Sequence, residues 1–239
     1  MYKNIIFDFY GTLVKIKGNE EDDCIWKKLS LYMAYQGANY DVDELKESYS
    51  KNIEKYRGRY SSADYPEVDI TDVFYKLYSD KGVKAKSKLL KQTTLVFRTL
   101  TTEHLSVYKG VEEMLIELKK KNKQLYILSN AQRIYLLAEI KMLGLEKYFD
   151  GIYISSDYHT RKPDPQLYKI LLEKEKLKKS DTIMVGDDYN TDIKGAVKVG
   201  IDSLFFLSET SDKNAKKENT TYSVLDGNYK KIIKLLTKD

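Results

Sequence analysis

The most informative segment of this sequence is residues 4–14, in which Asp8 follows a short apolar run and precedes Gly11. Such a run predicts a buried parallel strand, and the glycine permits the sharp turn by which the chain leaves it. Asp8 would then lie at the carboxyl end of the strand, where open α/β sheets bind ligands. A carboxylate without a local basic partner is costly there unless a metal ion or a substrate group compensates its charge. The segment therefore predicts a binding site, with a surface Asp at an ordinary strand end as the alternative.

Two further segments place polar or basic side chains beside predicted strands. Ser129 and Asn130 end a second buried-strand pattern, residues 124–131, and a helical pattern follows them. A hydroxyl at a strand-to-helix junction, next to free backbone N–H groups, forms an anion site, although an ordinary helix cap is the alternative. Lys162 lies in the segment 155–165 and precedes a proline that stiffens it. Its ammonium can therefore be held beside a carboxylate and a phosphate, with a solvated loop lysine as the alternative.

An acidic cluster ends a third buried-strand pattern, residues 183–186. Asp187, Asp188 and Asp192 lie within six residues of one another. Three acids so close together repel one another unless a cation neutralises them, and oxygen ligands of this kind suit magnesium. A helix N-terminus rich in Asp, which the helix dipole favours, is the alternative.

These four segments, in this order, resemble the four motifs of the haloacid dehalogenase superfamily of hydrolases, and the resemblance covers nearly the whole chain. It implies that Asp8 is the nucleophile that attacks phosphorus or carbon. It also implies that Lys162 is the catalytic lysine of the third motif. Thr12, Ser129 and Asn130 match positions that hold the catalytic loop and bind the substrate.

The same resemblance implies a Mg²⁺ site. The carboxylates of Asp8 and Asp187 match two of its ligands, and the backbone carbonyl of Tyr10 matches a third. Asp192 matches the acid that orients metal-bound water or the lysine, and Asp188 lies beside this site.

Tyr10 is a departure from the phosphatase pattern of the superfamily. The phosphatases carry a second Asp at this position, which protonates the leaving oxygen and then activates water. A tyrosine, with a pKa of about 10, is a poor general acid or base at neutral pH unless its environment perturbs it. The 2-haloacid dehalogenases of the superfamily also carry Tyr here, because the departure of a halide needs no proton.

Two other features favour the phosphatases. Haloacid dehalogenases work without metal and typically have a neutral residue in place of Asp187. They also carry an arginine early in the cap for the substrate carboxylate, whereas no arginine precedes Arg57 in this chain. We therefore expect a magnesium-dependent phosphatase with an acid-deficient site, acting on a small phosphorylated metabolite through an aspartyl-phosphate intermediate. A metal-free 2-haloacid dehalogenase is the first alternative, and a catalytically weakened regulatory or binding relative is the second.

The order of apolar patterns predicts two domains. The resemblance implies that residues 1–16 and 102–239 form the core, a doubly wound parallel sheet of the Rossmannoid α/β class. It implies that residues 17–101 form an inserted α-helical cap that closes over the nucleophile. Within these domains we expect strands near residues 125–129, 152–155, 182–185 and 203–206, loops at 58–69 and 208–221, and a capping box at Asp41 and Glu44 that opens a helix.

The composition limits the partners and the compartment. The chain has 239 residues and a net charge of +5, with basic and acidic residues scattered along it. Since no stripe of arginine and aromatic residues is concentrated anywhere, we expect no nucleic-acid partner. The single Cys24, the lack of an apolar stretch of membrane-spanning length and the immediate start of the first strand lead us to expect a cytoplasmic protein that does not bind membranes. We expect a monomer or homodimer. For Arg57, Arg59 and Arg98 we expect surface positions, with contact to an anionic substrate as the alternative.

Overall fold

The computed structural model describes residues 2–212 and 220–237. Within these residues there are eight β-strands: β1 (Asn4–Phe7), β2 (Val14–Gly18), β3 (Thr102–Val107), β4 (Gln124–Ser129), β5 (Gly151–Ile154), β6 (Thr182–Gly186), β7 (Asp202–Phe206) and β8 (Tyr222–Val224). Six of them form one parallel sheet in the order β5-β4-β1-β6-β7-β8. Strand β1 therefore lies inside the sheet, between β4 and β6.

The described residues also form nine α-helices: α1 (Asp23–Tyr35), α2 (Val42–Arg59), α3 (Ile70–Asp80), α4 (Ser87–Thr101), α5 (Val111–Lys120), α6 (Arg133–Met142), α7 (Pro165–Lys174), α8 (Lys194–Val199) and α9 (Tyr229–Thr237). Several begin at an aspartate whose carboxylate accepts a bond from a free backbone N–H, which is the preferred N-cap chemistry. Asp41 does so for the N–H of Glu44 at 2.8 Å, as the predicted capping box requires of its first residue. Asp164 does so ahead of a proline in the first turn of α7.

Alternate residues of the central strands face opposite layers of helices. Ile5 and Phe7 of β1 are fully buried in a cluster that includes residues of α5, α6 and α9. Ile6 is fully buried on the other face, against residues of α7 and α8. Burying one such side chain contributes about 1.5–3 kcal/mol. The predicted doubly wound α/β sheet is therefore confirmed, with helices on both faces.

Helices α1–α4, called here the helical insertion, lie between β2 and β3 in the chain. Those two strands pair antiparallel as a separate ribbon, with Val14 opposite Val107. The insertion has its own apolar cluster, and the ring of Tyr135 from α6 packs into it. The insertion therefore rests on the sheet domain through both a ribbon and a packed aromatic side chain.

The strand predictions are confirmed at all four places, within one or two residues at each end. Sequence analysis missed β2, β3 and β8. The predicted loop at 58–69 is wrong at its start, because α2 continues through Gly58 to Arg59. Residues 213–219 of the predicted loop at 208–221 lie outside the described residues.

Among the helices of residues 2–212 and 220–237, none has the length and apolar character needed to cross a membrane.

Candidate active site

Three neighbouring strands, β4, β1 and β6, have their carboxyl ends side by side at the same end of the sheet. Phe7 of β1 lies opposite Ile127 of β4 on one side and opposite Val185 of β6 on the other. The residues that follow these pairs therefore meet at the carboxyl ends of the strands. Strands β4 and β5 lie on one side of β1, and β6, β7 and β8 lie on the other. Open α/β sheets bind ligands at such a change of direction in the strand order.

Lys162 joins two acids of this edge. Its Nζ donates to Asp8 Oδ1 at 2.6 Å and to Asp192 Oδ1 at 2.7 Å. The side chains of Lys162 and Asp192 are each 1% exposed, so these are buried ion pairs. Burial alone would lower the pKa of the Lys162 ammonium, but the two carboxylates outweigh it and raise the pKa above its ordinary value. Lys162 is therefore a fixed cation whose hydrogen bonds orient Asp8.

Asp187 is held by hydroxyl groups rather than by a cation. Thr12 Oγ1 donates to its Oδ1 at 3.0 Å, and Ser208 Oγ and Thr210 Oγ1 donate to its Oδ2 at 3.0 and 2.8 Å. Burial and then the charge of Asp8 raise the pKa of Asp187 to about 6, while the hydroxyl donors oppose that rise. A carboxylate in this environment gains from a nearby cation, because the cation would stabilise its ionised form.

Asp192 and Asp188 lie on the turn that follows β6. The backbone N–H of Asp188 donates to Asp192 Oδ2 at 3.0 Å, so both oxygens of Asp192 accept hydrogen bonds. Burial raises the pKa of Asp192, and the Lys162 ammonium opposes this rise. The side chain of Asp188 is exposed and accepts a bond from the N–H of Asn190. Asp192 thus supports Lys162, whereas Asp188 stabilises the turn and lines the cavity above it.

Ser129 is the last residue of β4 and Asn130 follows it, and the two side chains differ in their contacts. The Ser129 hydroxyl is buried without a hydrogen-bond partner among the described residues. Such a group is costly unless a ligand satisfies it, so it marks a place for a polar ligand. Asn130 exchanges two hydrogen bonds with the backbone of Lys162, at 2.8 and 3.0 Å. Asn130 therefore fixes the lysine loop, and neither residue is the N-cap of α6, which is Gln132.

Gly11 allows the loop after β1 to approach Asp187. Its φ of +84° is in the left-handed region, and a Cβ built on it would lie 2.4 Å from Asp187 Oδ2. The Tyr229 hydroxyl donates to the Thr12 carbonyl at 2.6 Å and holds the same loop from behind. The loop therefore lies so close to Asp187 that only glycine fits at position 11.

Tyr10 lines the cavity, but its hydroxyl is already engaged. The hydroxyl donates to Glu139 Oε2 of α6 at 2.5 Å. Burial and then the charge of Glu139 raise the pKa of Tyr10 above its ordinary value. The perturbation that would make a tyrosine a useful acid is a lowered pKa, so this environment makes Tyr10 a still poorer proton donor.

The cavity over these residues has a volume of about 450 Å³. Its lining brings together the predicted residues Asp8, Tyr10, Ser129, Asn130, Lys162, Asp187 and Asp188. Sequence analysis missed residues 208–212, which bring Ser208 and Thr210 to Asp187 and Thr210–Asp212 to the cavity wall. The sequence contains a signal for them, since these hydroxyl residues come soon after the end of β7, much as Ser129 comes at the end of β4. Among the described residues that line the cavity, Lys162 is the one with a cationic side chain.

The acids of the site are arranged to hold a cation. One carboxylate oxygen from each of Asp8, Asp187 and Asp192 lies within 4.8 Å of the others, and all three residues are buried. A single ammonium faces them, so negative charge is left over. Carboxylate oxygens at this spacing fit the ligand preference of Mg²⁺, which binds through one or two carboxylates and completes its shell with substrate phosphate and water.

The parallel sheet and its buried cluster of carboxylates and lysine are those of a hydrolase. The model of the haloacid dehalogenase-like hydrolase family matches residues 2–200, and the chain belongs to that family.

Its relatives include named phosphatases. The chain is 26% identical to N-acylneuraminate-9-phosphatase of Homo sapiens over 129 residues, which are 54% of this chain and 52% of that protein. The chain thus matches only about half the length of that relative. It is 24% identical to pyrimidine 5'-nucleotidase PynA of Streptococcus pneumoniae over 243 residues, which cover 100% of this chain and 96% of that protein.

Solved structures share the fold. The 2-haloacid dehalogenase from Pseudomonas syringae pv. Tomato DC3000 matches with a TM-score of 0.67 and 20% identity, over 99% of this chain and 98% of that one.

Proposed function

We propose that this protein is a Mg²⁺-dependent phosphatase that hydrolyses a small phosphorylated metabolite through a phosphorylated Asp8. The observation that carries the proposal is the meeting of Asp8, Asp187 and Asp192, of which only Asp8 and Asp192 are paired with Lys162, so that negative charge is in surplus. The names of the two relatives, a nucleotidase and a sugar-acid phosphatase, support a phosphate monoester as substrate.

Each residue has a part that follows from its contacts. Lys162 holds Asp8 through Oδ1, which leaves the other carboxylate oxygen to attack phosphorus. The hydroxyl of Ser129 would donate to a phosphate oxygen and so gain the partner that it lacks. Attack forms the bond between Asp8 and phosphorus and releases the alcohol or phenol as an oxyanion, which takes a proton from water. Water then hydrolyses the acyl phosphate and restores the carboxylate.

Asp8, Asp187 and the backbone carbonyl of Tyr10 would hold the metal ion. When bound, Mg²⁺ neutralises charge on the phosphate and on the carboxylates that surround it. The three hydroxyl donors to Asp187 fix the direction of that carboxylate. We further propose that the helical insertion is the cap of this site and that the protein works in the cytoplasm.

Dehalogenation of a 2-haloacid by the same nucleophile is the second candidate, because Tyr10 offers no acid and a halide needs none. The electrostatics weigh against it. A haloacid carboxylate requires a cation of its own, but Lys162 is bound to two acids and Arg98 is bound to Glu139. A retained Asp187 would also repel that carboxylate.

The test is hydrolysis of p-nitrophenyl phosphate and of a panel of nucleoside and sugar phosphates, after chelation and after addition of Mg²⁺, beside halide release from 2-chloropropionate. We expect phosphate release that disappears with chelator and returns with Mg²⁺. Asp8→Asn should remain folded and lose this activity, because an amide is not a useful nucleophile. Asp64→Asn is the matched control, since Asp64 is exposed on a loop of the insertion and should leave activity unchanged. Halide release under chelation, without any phosphatase activity, would overturn the proposal in favour of dehalogenation.

A further inference from the structure

Glu139 is a buried acid that the proposed chemistry does not use. Glu139 is 7% exposed. Its carboxylate accepts hydrogen bonds from two other parts of the protein. Tyr10 OH donates to Oε2 at 2.5 Å from the loop after β1. Arg98 of α4 donates through Nε to Oε1 at 2.6 Å and through a second guanidinium nitrogen to Oε2 at 3.3 Å. One carboxylate thus connects the catalytic loop to the helical insertion.

The three side chains form a closed, charge-balanced unit. The guanidinium of Arg98 lies over the rings of Tyr10 and Tyr135, at 5.5 and 4.9 Å from the ring centroids. A buried carboxylate is stable only when it is paired and hydrogen-bonded, and Arg98 supplies both conditions for Glu139. The ordinary pKa of a tyrosine hydroxyl is about 10, so at neutral pH the hydroxyl of Tyr10 is protonated and donates its bond to Glu139.

The anchored tyrosine is two residues from Asp8. Phe9, between them, is fully buried in the core of the sheet domain. Its carbonyl accepts bonds from the N–H groups of Leu13 and Val14 at 2.9 and 3.0 Å. The Glu139 bond therefore adds a polar anchor at Tyr10, whose ring also packs edge-on against Phe9 at a centroid distance of 5.0 Å.

Arg98 makes this anchor depend on the insertion. It lies in the last turn of α4, directly before β3, and β3 pairs with the β2 strand that leaves the catalytic loop. A displacement of α4 would withdraw the guanidinium and leave Glu139 as an unpaired buried charge.

We infer that Glu139, held by Arg98 of the helical insertion, is a positioning residue that orients the Asp8 loop through the hydroxyl of Tyr10. Its consequence for catalysis rests on the proposed function, whereas its consequence for the loop does not. Tyrosine at position 10 then has a role that aspartate is too short to perform, because it reaches α6 and couples the nucleophile to the seating of the insertion.

The experiment compares Tyr10→Phe, Glu139→Gln and the double variant with wild type. Tyr10→Phe is the milder change, because Glu139 keeps its ion pair with Arg98. Tyr153→Phe is the matched control, since it removes a similar bond, Tyr153 OH to Glu175 Oε1 at 2.7 Å, away from the cavity. Two quantities are measured: kcat and KM for an aryl phosphate with Mg²⁺, and amide hydrogen exchange of residues 8–14 without metal or substrate.

We expect kcat of Tyr10→Phe to fall by about 10- to 100-fold with KM within about 2-fold, since a misplacement of about 1 Å can cost 100-fold. Amides of residues 8–14 should exchange faster in Tyr10→Phe and Glu139→Gln but not in Tyr153→Phe. The double variant should be no worse than the more affected single variant, because both changes break the same contact.

A purely structural brace would give a different result. Tyr10→Phe would then lose stability while kcat per folded molecule and exchange in residues 8–14 stayed at wild-type values, and that outcome overturns the inference. If wild type hydrolyses no phosphate ester, the proposed function fails instead, and the exchange measurement alone decides whether Glu139 positions the loop.

Discussion

Replacing Lys162 with methionine tests the charge balance of the site. The methionine side chain is similar in length to that of lysine but is uncharged and apolar, so the change removes the ammonium group with little change in packing. Asp8 and Asp192 then lose donors at 2.6 and 2.7 Å. Water cannot readily replace the donor to Asp192, because that side chain is 1% exposed, whereas Asp8, which is 11% exposed, lines the cavity.

The expected cost follows from this burial. Removing one partner of a buried ion pair costs about 3–5 kcal/mol, most of it from the carboxylate left without a counter-charge. In a chain of this size each kcal/mol lowers Tm by about 2–4 °C, so we expect a fall of roughly 6–20 °C. Lys119→Met is the matched control. Its partner Asp150 lies at 2.8 Å, but the two side chains are 35% and 37% exposed, so the loss should be about 1 kcal/mol or less.

The measurement is urea unfolding followed by far-ultraviolet circular dichroism at neutral pH, together with thermal melts. The double variant Lys162→Met with Asp192→Asn should recover part of the loss, because it removes one of the stranded charges. Equal destabilisation by Lys162→Met and Lys119→Met would refute the reasoning, since it would mean that Asp8 and Asp192 do not depend on Lys162 for neutralisation.

Two further predictions concern the loop after β1. Gly11→Ala should lower kcat by about 100-fold, because the new Cβ would displace Asp187. Gly144→Ala is the control and should lose stability alone, because Gly144 has a similar φ of +70° and a Cβ built on it would have no neighbouring atom within 4 Å. Equal kcat values in the two variants would contradict this prediction. Because Tyr10 supplies no acid, aryl phosphates should be hydrolysed about 100-fold or more faster than alkyl phosphates, and slow breakdown of the phosphorylated Asp8 should give a burst followed by slow turnover. Equal rates on both ester classes, without a burst, would show that another residue transfers the proton.

The sheet and most of the site were predictable from the sequence for one physical reason. Strands β1 and β6, which directly precede Asp8 and Asp187, and β4, whose last residue is Ser129, are buried on both faces, so each appears as a continuous apolar run. Parallel strands bring their carboxyl ends to one edge, and a polar residue after each run therefore predicts a common site. That Lys162 would lie at the same site as Asp8 and Asp192 was predicted from the resemblance to the family motifs.

The missed features depend on contacts between distant residues or on half-exposed segments. Strand β2 alternates apolar residues with lysine, and β3 is mostly polar and half-exposed, so neither strand has a buried apolar run to mark it. Arg98 was expected at the surface, and that prediction is wrong because it pairs with Glu139, 41 residues away. Nothing in the local sequence of α6 distinguishes Glu139 from an exposed helix acid.

These contacts separate two roles that aspartate combines in the phosphatase pattern. On the proposed function, a tyrosine at position 10 would still offer its backbone carbonyl to Mg²⁺, because that group is present with any side chain. The carboxylate that would transfer protons is lost, and in its place the hydroxyl bonds to Glu139 at 2.5 Å. On the proposed function, the replacement of aspartate by tyrosine therefore changes proton transfer and the position of the loop, while the nucleophile Asp8 and the acid Asp187 are retained. A site changed in this way retains attack on phosphorus, and its limit is the basicity of the leaving group.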